Sequence, residues 1–250
     1  MANTPPSPHL LAGRIILVTG AGDGIGRAAA LCFAEHGASV VLHGRTTSKL
    51  EKVYDEIERR GWPQAAMLPL DLAKATPAHY EQATQIVEKE FGRLDGLLHN
   101  AAESGTLTPL ELYEPETWYR VIQVNLHAAW QLTRACLPLL KRSEDASIVF
   151  TTADVGRKGR AYWGAYSVAC FGLEGMMQTL ADELATEGKI RVNSLNPGTV
   201  RTTLRSRLYP GEDAQSLPKP EDIMSAYLYL LGPDSRGVTG QALDAQGFGR

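Results

Sequence analysis

Leu17-Val-Thr-Gly-Ala-Gly-Asp-Gly-Ile-Gly26 is the stretch whose reading decides the fold. An apolar run, Ile15 to Val18, leads into it, and a segment of helical pattern, Arg27 to His36, follows. The order is strand, tight turn, helix. Glycines 20, 24 and 26 give the spacing Gly-x-x-x-Gly-x-Gly, not the commoner Gly-x-Gly-x-x-Gly, yet the mechanical parts are the same. A glycine turn lets backbone approach a phosphate, and the free N–H groups of a first helical turn favour an anion. The plainer reading is a turn and nothing more, so the remainder of the chain has to decide.

Outward from that stretch, short apolar runs alternate with helical segments, which predicts βαβ units and a parallel sheet. Strands are expected at 38–43, 65–70, 94–99, 147–151 and 190–195, with a short last one at 241–244. Helices are expected at 46–60, 76–91, 116–140, 165–186 and 220–231. Leu50, Val53 and Ile57 have helical spacing, as do Phe171, Leu173, Met176, Met177, Leu180 and Leu184. Residues 199–219, polar with two prolines and several arginines, read as a mobile segment over a site. No repeat or linker interrupts the pattern. The expectation is one doubly wound domain over residues 11–250, after a loose, proline-rich tail at 1–10.

The balance of charge is −3 over 250 residues, which argues against nucleic acid as the main partner. No run of about 18 apolar residues is present, so no membrane span is expected. The first nine residues lack a basic start and an apolar centre and do not read as a signal peptide. Cys32, Cys136 and Cys170 are far apart and odd in number. They read as free thiols in a reducing cytoplasm, not as a disulfide frame or a metal site.

In a dinucleotide fold, the residue just past the second strand meets the adenosine ribose. An acid there suits NAD, and a nearby arginine suits the extra phosphate of NADP. Here the residues are His43-Gly44-Arg45-Thr46, with no acid. Arg45 and Thr46 are therefore read as holders of a 2′-phosphate, which favours NADP(H) over NAD(H). Asp23 would repel that phosphate if it lies close.

Four further stretches coincide with the glycine turn: Asn100-Ala-Ala102, Asn125 within Val124-Asn-Leu126, Tyr166 opening a long helix, and Pro197-Gly198. Together they resemble the short-chain dehydrogenase/reductase family over nearly the whole chain, Leu11 to Gly247. Val149-Phe-Thr and Arg157 to Tyr166 are similar to a bacterial branch that resembles oxoacyl-carrier-protein reductases. The resemblance implies a mainly parallel sheet of about seven strands. It implies that Thr19, Gly20, Gly24, Ile25 and Gly26 cradle the cofactor pyrophosphate. Asp71 and Leu72 would border the adenine, and Asn100 and Ala101 the ribose. Pro197, Gly198 and Thr202 would lie along the nicotinamide. Asn125 would hold a water of a proton relay, and Tyr166 would give its proton to a carbonyl oxygen. A homodimer or homotetramer through the two long helices is a further implication. The partner would be a small carbonyl or alcohol, with no nucleic acid, membrane or metal.

Two of the family's four catalytic parts are absent. The lysine one helical turn after the tyrosine is Cys170, and the serine 13 residues before it is Ala153. A thiol is short and donates weakly, so it cannot replace a cation that lowers the tyrosine pKa. Thr152 has a hydroxyl but should face the other side of an extended segment. Asp154 reads as a turn residue, and Arg157, Lys158 and Arg160 read as solvated loop cations rather than a substitute for the lysine. Losing a preorganised donor costs about 10²–10³ in rate, so a slowdown of about 10³–10⁵ is expected. Reduction should suffer less than oxidation, because a neutral tyrosine still donates a proton. Two readings follow: an NADP-dependent oxidoreductase with weak or altered catalysis, or a non-catalytic nucleotide-binding scaffold, whether natural or made inactive by design.

Overall fold

The structure, a computed structural model, describes residues 7–248. Seven strands are present: β1 Ile15–Thr19, β2 Ser39–Gly44, β3 Ala66–Pro69, β4 Gly96–His99, β5 Ala146–Thr151, β6 Ile190–Asn196 and β7 Ala242–Asp244. They form one sheet in the order β3-β2-β1-β4-β5-β6-β7, and every neighbouring pair is parallel. Every residue of β1 is buried, as expected of a strand covered on both faces. Its alternation feeds two cores. Ile16 and Val18 pack with Phe33, Leu50 and Tyr227. Ile15 and Leu17 pack with Tyr80, Leu132, Leu139 and Met177 on the opposite face.

The helices are α1 Gly24–Glu35, α2 Thr47–Arg59, α3 Pro77–Phe91, α4 Pro115–Ile122, α5 Ala128–Leu140, α6 Gly164–Leu184, α7 Thr203–Leu208 and α8 Met224–Leu231. The strand order reverses between β1 and β4. In open parallel sheets, ligands sit beyond the carboxyl ends of the strands at such a switch point.

Four expectations need correction. The helix expected at 116–140 is broken by a π turn, Gln123–His127, centred on Asn125. Asn125 is 5 % exposed, with both ends of its amide bonded to the backbone of Glu103, and the wider turn accommodates that side chain. The helix expected at 220–231 opens as a 3₁₀ turn, Pro220–Ile223, before α8. The segment 199–219, expected to be mobile, is organised. It carries α7 and a 3₁₀ turn at Ala214–Ser216. A forked Arg205–Glu212 ion pair (2.6 and 2.7 Å) and Arg201 bonds to the Gln215 and Leu217 carbonyls hold it. Of the expected loose tail, residues 1–6 lie outside the described residues. Residues 7–10 are not loose: Leu10 N–H donates to the Ser7 carbonyl (3.0 Å) and the Leu10 side chain packs on the core.

Candidate active site

A cleft of about 390 Å³ runs along the carboxyl ends of β1, β2, β4, β5 and β6. At one end is the glycine turn. Gly20 has φ +70°, which a side chain rarely adopts. A Cβ on Gly26 would sit 2.2 Å from the Gly20 carbonyl oxygen, so α1 packs against the turn only because residue 26 is glycine. Asp23 is extended and its carboxylate accepts from Gly24 N–H (2.8 Å), capping α1. The same carboxylate meets the Lys49 ammonium at 2.6 Å, which holds its pKa below the ordinary carboxylate value. The anticipated repulsion from Asp23 is thus offset by Lys49. The sequence signal for Lys49, a lysine four residues after Arg45, was available but not read.

Gly20, Gly24, Ile25, Arg45, Thr46, Asp71, Leu72, Asn100, Ala101, Pro197, Gly198 and Thr202 all border the cleft. Asp71 also accepts from Ala73 N–H (3.1 Å), and Thr202 caps α7 by accepting from Arg205 N–H (3.1 Å). Thr46 precedes α2 without a side-chain capping bond. Arg45 is exposed and 4.0 Å from Glu103, an acid that sequence reasoning passed over. Thr19 and Gly26 lie beneath the cleft instead of lining it. The Thr19 hydroxyl accepts from Asn100 N–H (2.8 Å) and Ala101 N–H (3.0 Å) and donates to the Leu98 carbonyl (3.2 Å). It ties β1 to β4. Both ends of the Asn125 amide are bonded to the Glu103 backbone, which ties the π turn to the loop after β4.

At the other end of the cleft stands Tyr166, in the first turn of α6. Its ring packs against Trp163 (5.6 Å), and Trp163 against Tyr209 (6.4 Å), which lies under the Arg205 guanidinium (3.8 Å). Two residues in the approach have unusual backbone. Tyr162 has φ +74°, a strained value for an aromatic residue. Gly164 has φ +31°, and a Cβ there would meet the Tyr113 ring at 2.5 Å. Burial pushes the Tyr166 phenol well above 10, and the Cys170 thiol and Asp154 carboxylate push it further. Cys170 is 2 % exposed, under Gly156, and burial raises its thiol to about 12. Among the described residues no cation occupies the place of the lysine.

The nearby hydroxyl and Arg157 are committed elsewhere. Thr152 faces away, as its neighbour's register requires, and donates to Glu174 (2.8 Å). Arg157 is neither solvated nor in the cleft: it meets Glu174 (3.1 Å) and Asp244 (3.0 Å). Asp154 caps no turn with its side chain but pairs with Arg160 at the cleft wall. Arg207 lines the cleft with no carboxylate partner among the described residues. Glu174, missed in the sequence, was signalled as the one acid on an apolar helix face two turns after Tyr166.

A family model described as short chain dehydrogenase matches residues 14–213. The chain is 48 % identical over 241 residues to the uncharacterized oxidoreductase YciK of Escherichia coli K12, covering 96 % of this chain and 95 % of that one. A solved structure from Pseudomonas syringae is similar at TM-score 0.96 and 56 % identity, covering 98 % of this chain and all of the other. Another, from Escherichia coli CFT073 and complexed with NADPH, is similar at TM-score 0.93 and 48 % identity, covering 96 % and 100 %. With the doubly wound sheet and the glycine turn, these similarities identify the chain as a member of the short chain dehydrogenase family.

Proposed function

We propose that this protein is an NADP(H)-dependent oxidoreductase of a small carbonyl or alcohol, with catalysis weakened or altered at Cys170 and Ala153. The observation that carries the proposal is one continuous cleft that joins the glycine turn, Arg45 and Tyr166. The glycine turn, with Gly20 at φ +70° and Gly20, Gly22 and Gly24 bordering the cleft at the start of α1, fits a phosphate-bearing ligand. A similar structure complexed with NADPH supports the choice of cofactor. Gly20, Gly24 and Ile25 would hold the pyrophosphate, with Thr19 and Gly26 shaping the turn and Thr202 lying along the nicotinamide. Arg45 and Thr46, helped by Lys49, would hold the 2′-phosphate. Asp71 and Leu72 would border the adenine, Asn100 and Ala101 the ribose, and Pro197 and Gly198 the nicotinamide.

NADP(H), when bound, supplies or accepts a hydride. The chain's own part is proton handling and positioning. Tyr166 stays protonated at pH 7, so it can donate to a carbonyl oxygen but serves poorly as a base towards an alcohol. Reduction is therefore the favoured direction. Ala153 offers no hydroxyl to the substrate oxygen, and the Thr152 hydroxyl is taken by Glu174. Asn125 contributes by fixing the Glu103 loop. The exposed faces of Trp130 on α5 and of Val168 and Phe171 on α6 suit a homodimer or homotetramer. We place the protein in the cytoplasm, with residues 11–250 as one domain. Among the described residues no helix is long and apolar enough to cross a membrane.

One observation favours a second reading, a nucleotide-binding scaffold without turnover or a deliberately inactivated variant. Among the described residues Tyr166 has no cation in the place of the family lysine, and of the candidate substitutes Arg157 is held by Glu174 and Asp244 and Arg160 by Asp154. Titration with NADPH and, in parallel, NADH, followed by cofactor fluorescence, tests both readings. Saturable binding with NADPH tighter is expected. No binding of either at about 1 mM, a free energy of only about −4 kcal/mol, ends the oxidoreductase reading. Tight NADPH binding without reduction of any carbonyl on a broad panel selects the scaffold.

A further inference from the structure

Glu174 is a carboxylate buried in the second turn below Tyr166, and burying a charge is costly unless donors surround it. Three do. Thr152 donates to one oxygen (2.8 Å), Ser194 to the other (2.5 Å), and Arg157 Nε to the first (3.1 Å). The chain of bonds continues outward. Arg157 donates to Asp244 (3.0 Å) and to the Leu243 carbonyl (2.8 Å). Asn196 donates to the same Asp244 oxygen (2.8 Å) and accepts from Gly198 N–H (3.0 Å). An unbroken path therefore runs from α6 through the ends of β5, β6 and β7 to the turn at Asn196-Pro197-Gly198. Its two outer ends, Thr152 and Asn196, both border the cleft, on the side of Tyr166 and away from Arg45.

We propose that Glu174 is a positioning residue for the nicotinamide half of the cleft: through Arg157, Asp244 and Asn196 it locks the helix that carries Tyr166 to the Asn196–Gly198 wall. The inference rests on the cofactor reading above and adds a residue to it. Glu174 touches no ligand itself. Replacing it leaves Arg157 without its buried partner and lets the wall shift against α6. Apolar packing would hold the strands together as well. The charged path adds fixed distances, because each of its bonds is directional and several are charge-assisted.

The path touches only one half of the cleft, and this makes the test selective. Affinities for NADPH and for 2′-phospho-ADP-ribose, the same molecule without nicotinamide, are measured for the parent, Glu174→Gln and Asp244→Ala. Glu174→Gln should weaken NADPH about tenfold and leave 2′-phospho-ADP-ribose within about twofold. Asp244→Ala should give the same split at about threefold; its side chain is 60 % exposed, so this variant folds even if the first does not. Equal weakening of both ligands, or no change in either, overturns the inference. A parent protein that binds 2′-phospho-ADP-ribose but not NADPH overturns it too. A parent that binds neither overturns the cofactor reading itself and this inference with it.

Discussion

The two ends of the sheet are built on opposite terms. At the amino ends of the strands, the carboxylates are saturated. Asp145 takes Arg14 (3.1 Å), Arg191 and Arg236 (3.2 Å). Asp95 takes Ile15 N–H (2.9 Å), Arg93 (3.0 Å) and the Ser143 hydroxyl (2.6 Å). Arg14 and Arg191 reach on to the Asp95, Asp145 and Gly232 carbonyls. At the carboxyl ends some charges are loosely held, Arg45 in a long ion pair and Arg207 with none among the described residues, and Tyr162 is strained at positive φ. One end closes the fold. The other leaves groups free for a ligand, and its ordered part, the Glu174 path, lies under the cleft rather than in it. The difference teaches that carboxylates gathering several donors brace the fold, while cations left without a close partner lie where a ligand can meet them. Glu174, fully partnered yet next to Tyr166, is where the two overlap.

The largest effect expected from breaking this contrast is at the cleft. Cys170→Lys combined with Ala153→Ser should raise NADPH-dependent carbonyl reduction by about 10³ or more, the inverse of losing preorganised groups. A double variant that turns over no faster than the parent on a carbonyl panel would refute this account of the defect. At the saturated end, Asp145→Asn should cost about 3–5 kcal/mol in urea unfolding by leaving three arginines without their carboxylate. NADPH affinity should stay unchanged; a fall in affinity at equal stability would show that the two ends are coupled.

Two histidines beneath the switch point sharpen the comparison. His43 and His99 are both buried and neutral, burial being the main cause. Their pKa values fall to about 4 and about 3. The unfolded chain protonates each near pH 6.5. Stability is therefore full above pH 6.5 and falls as the pH drops below it, by about 1.4 kcal/mol per pH unit for each histidine until its folded value is reached. Chemical denaturation between pH 7 and 4.5 measures this slope. His43→Leu with His99→Gln should flatten it, and an unaltered slope would assign acid sensitivity to the ion pairs at the far end. The smallest effect is at the cleft's outer rim. Arg45→Gln should weaken NADPH about tenfold while NADH affinity holds steady. Equal losses for both cofactors would remove Arg45 from the 2′-phosphate.

Most of the fold was legible because its signals are local. Strand runs and helical stripes repeat over a few residues, and the structure keeps each expected strand within a residue or two. The corrections fall where a distant partner intervenes. Asn125 forces a π turn because Glu103 lies across from it, and the arginines of 199–219 organise that segment through Glu212 and two carbonyls. The cleft was legible in its glycines, in Arg45 and in Tyr166. It was not legible in Lys49, Glu103 or Arg207, whose roles depend on what lies opposite.

By itself the sequence determined the doubly wound class, the glycine turn, the place of Tyr166 and the loss of the lysine and serine beside it. Periodicity and glycine spacing carry the strand–helix alternation and the turn, because strands, turns and helices impose them on neighbouring residues; the doubly wound sheet, Tyr166 and the missing lysine and serine came from the family resemblance. Only the tertiary structure decided which partners the polar groups take. It sends Thr152 to Glu174, gives Arg157 to a carboxylate on α6 and another on β7, and neutralises Asp23 with Lys49. Those choices follow from which strand ends the parallel sheet brings together. Hydrogen bonds and ion pairs act over about 3 Å, and no spacing along the chain encodes contacts between residues dozens of positions apart.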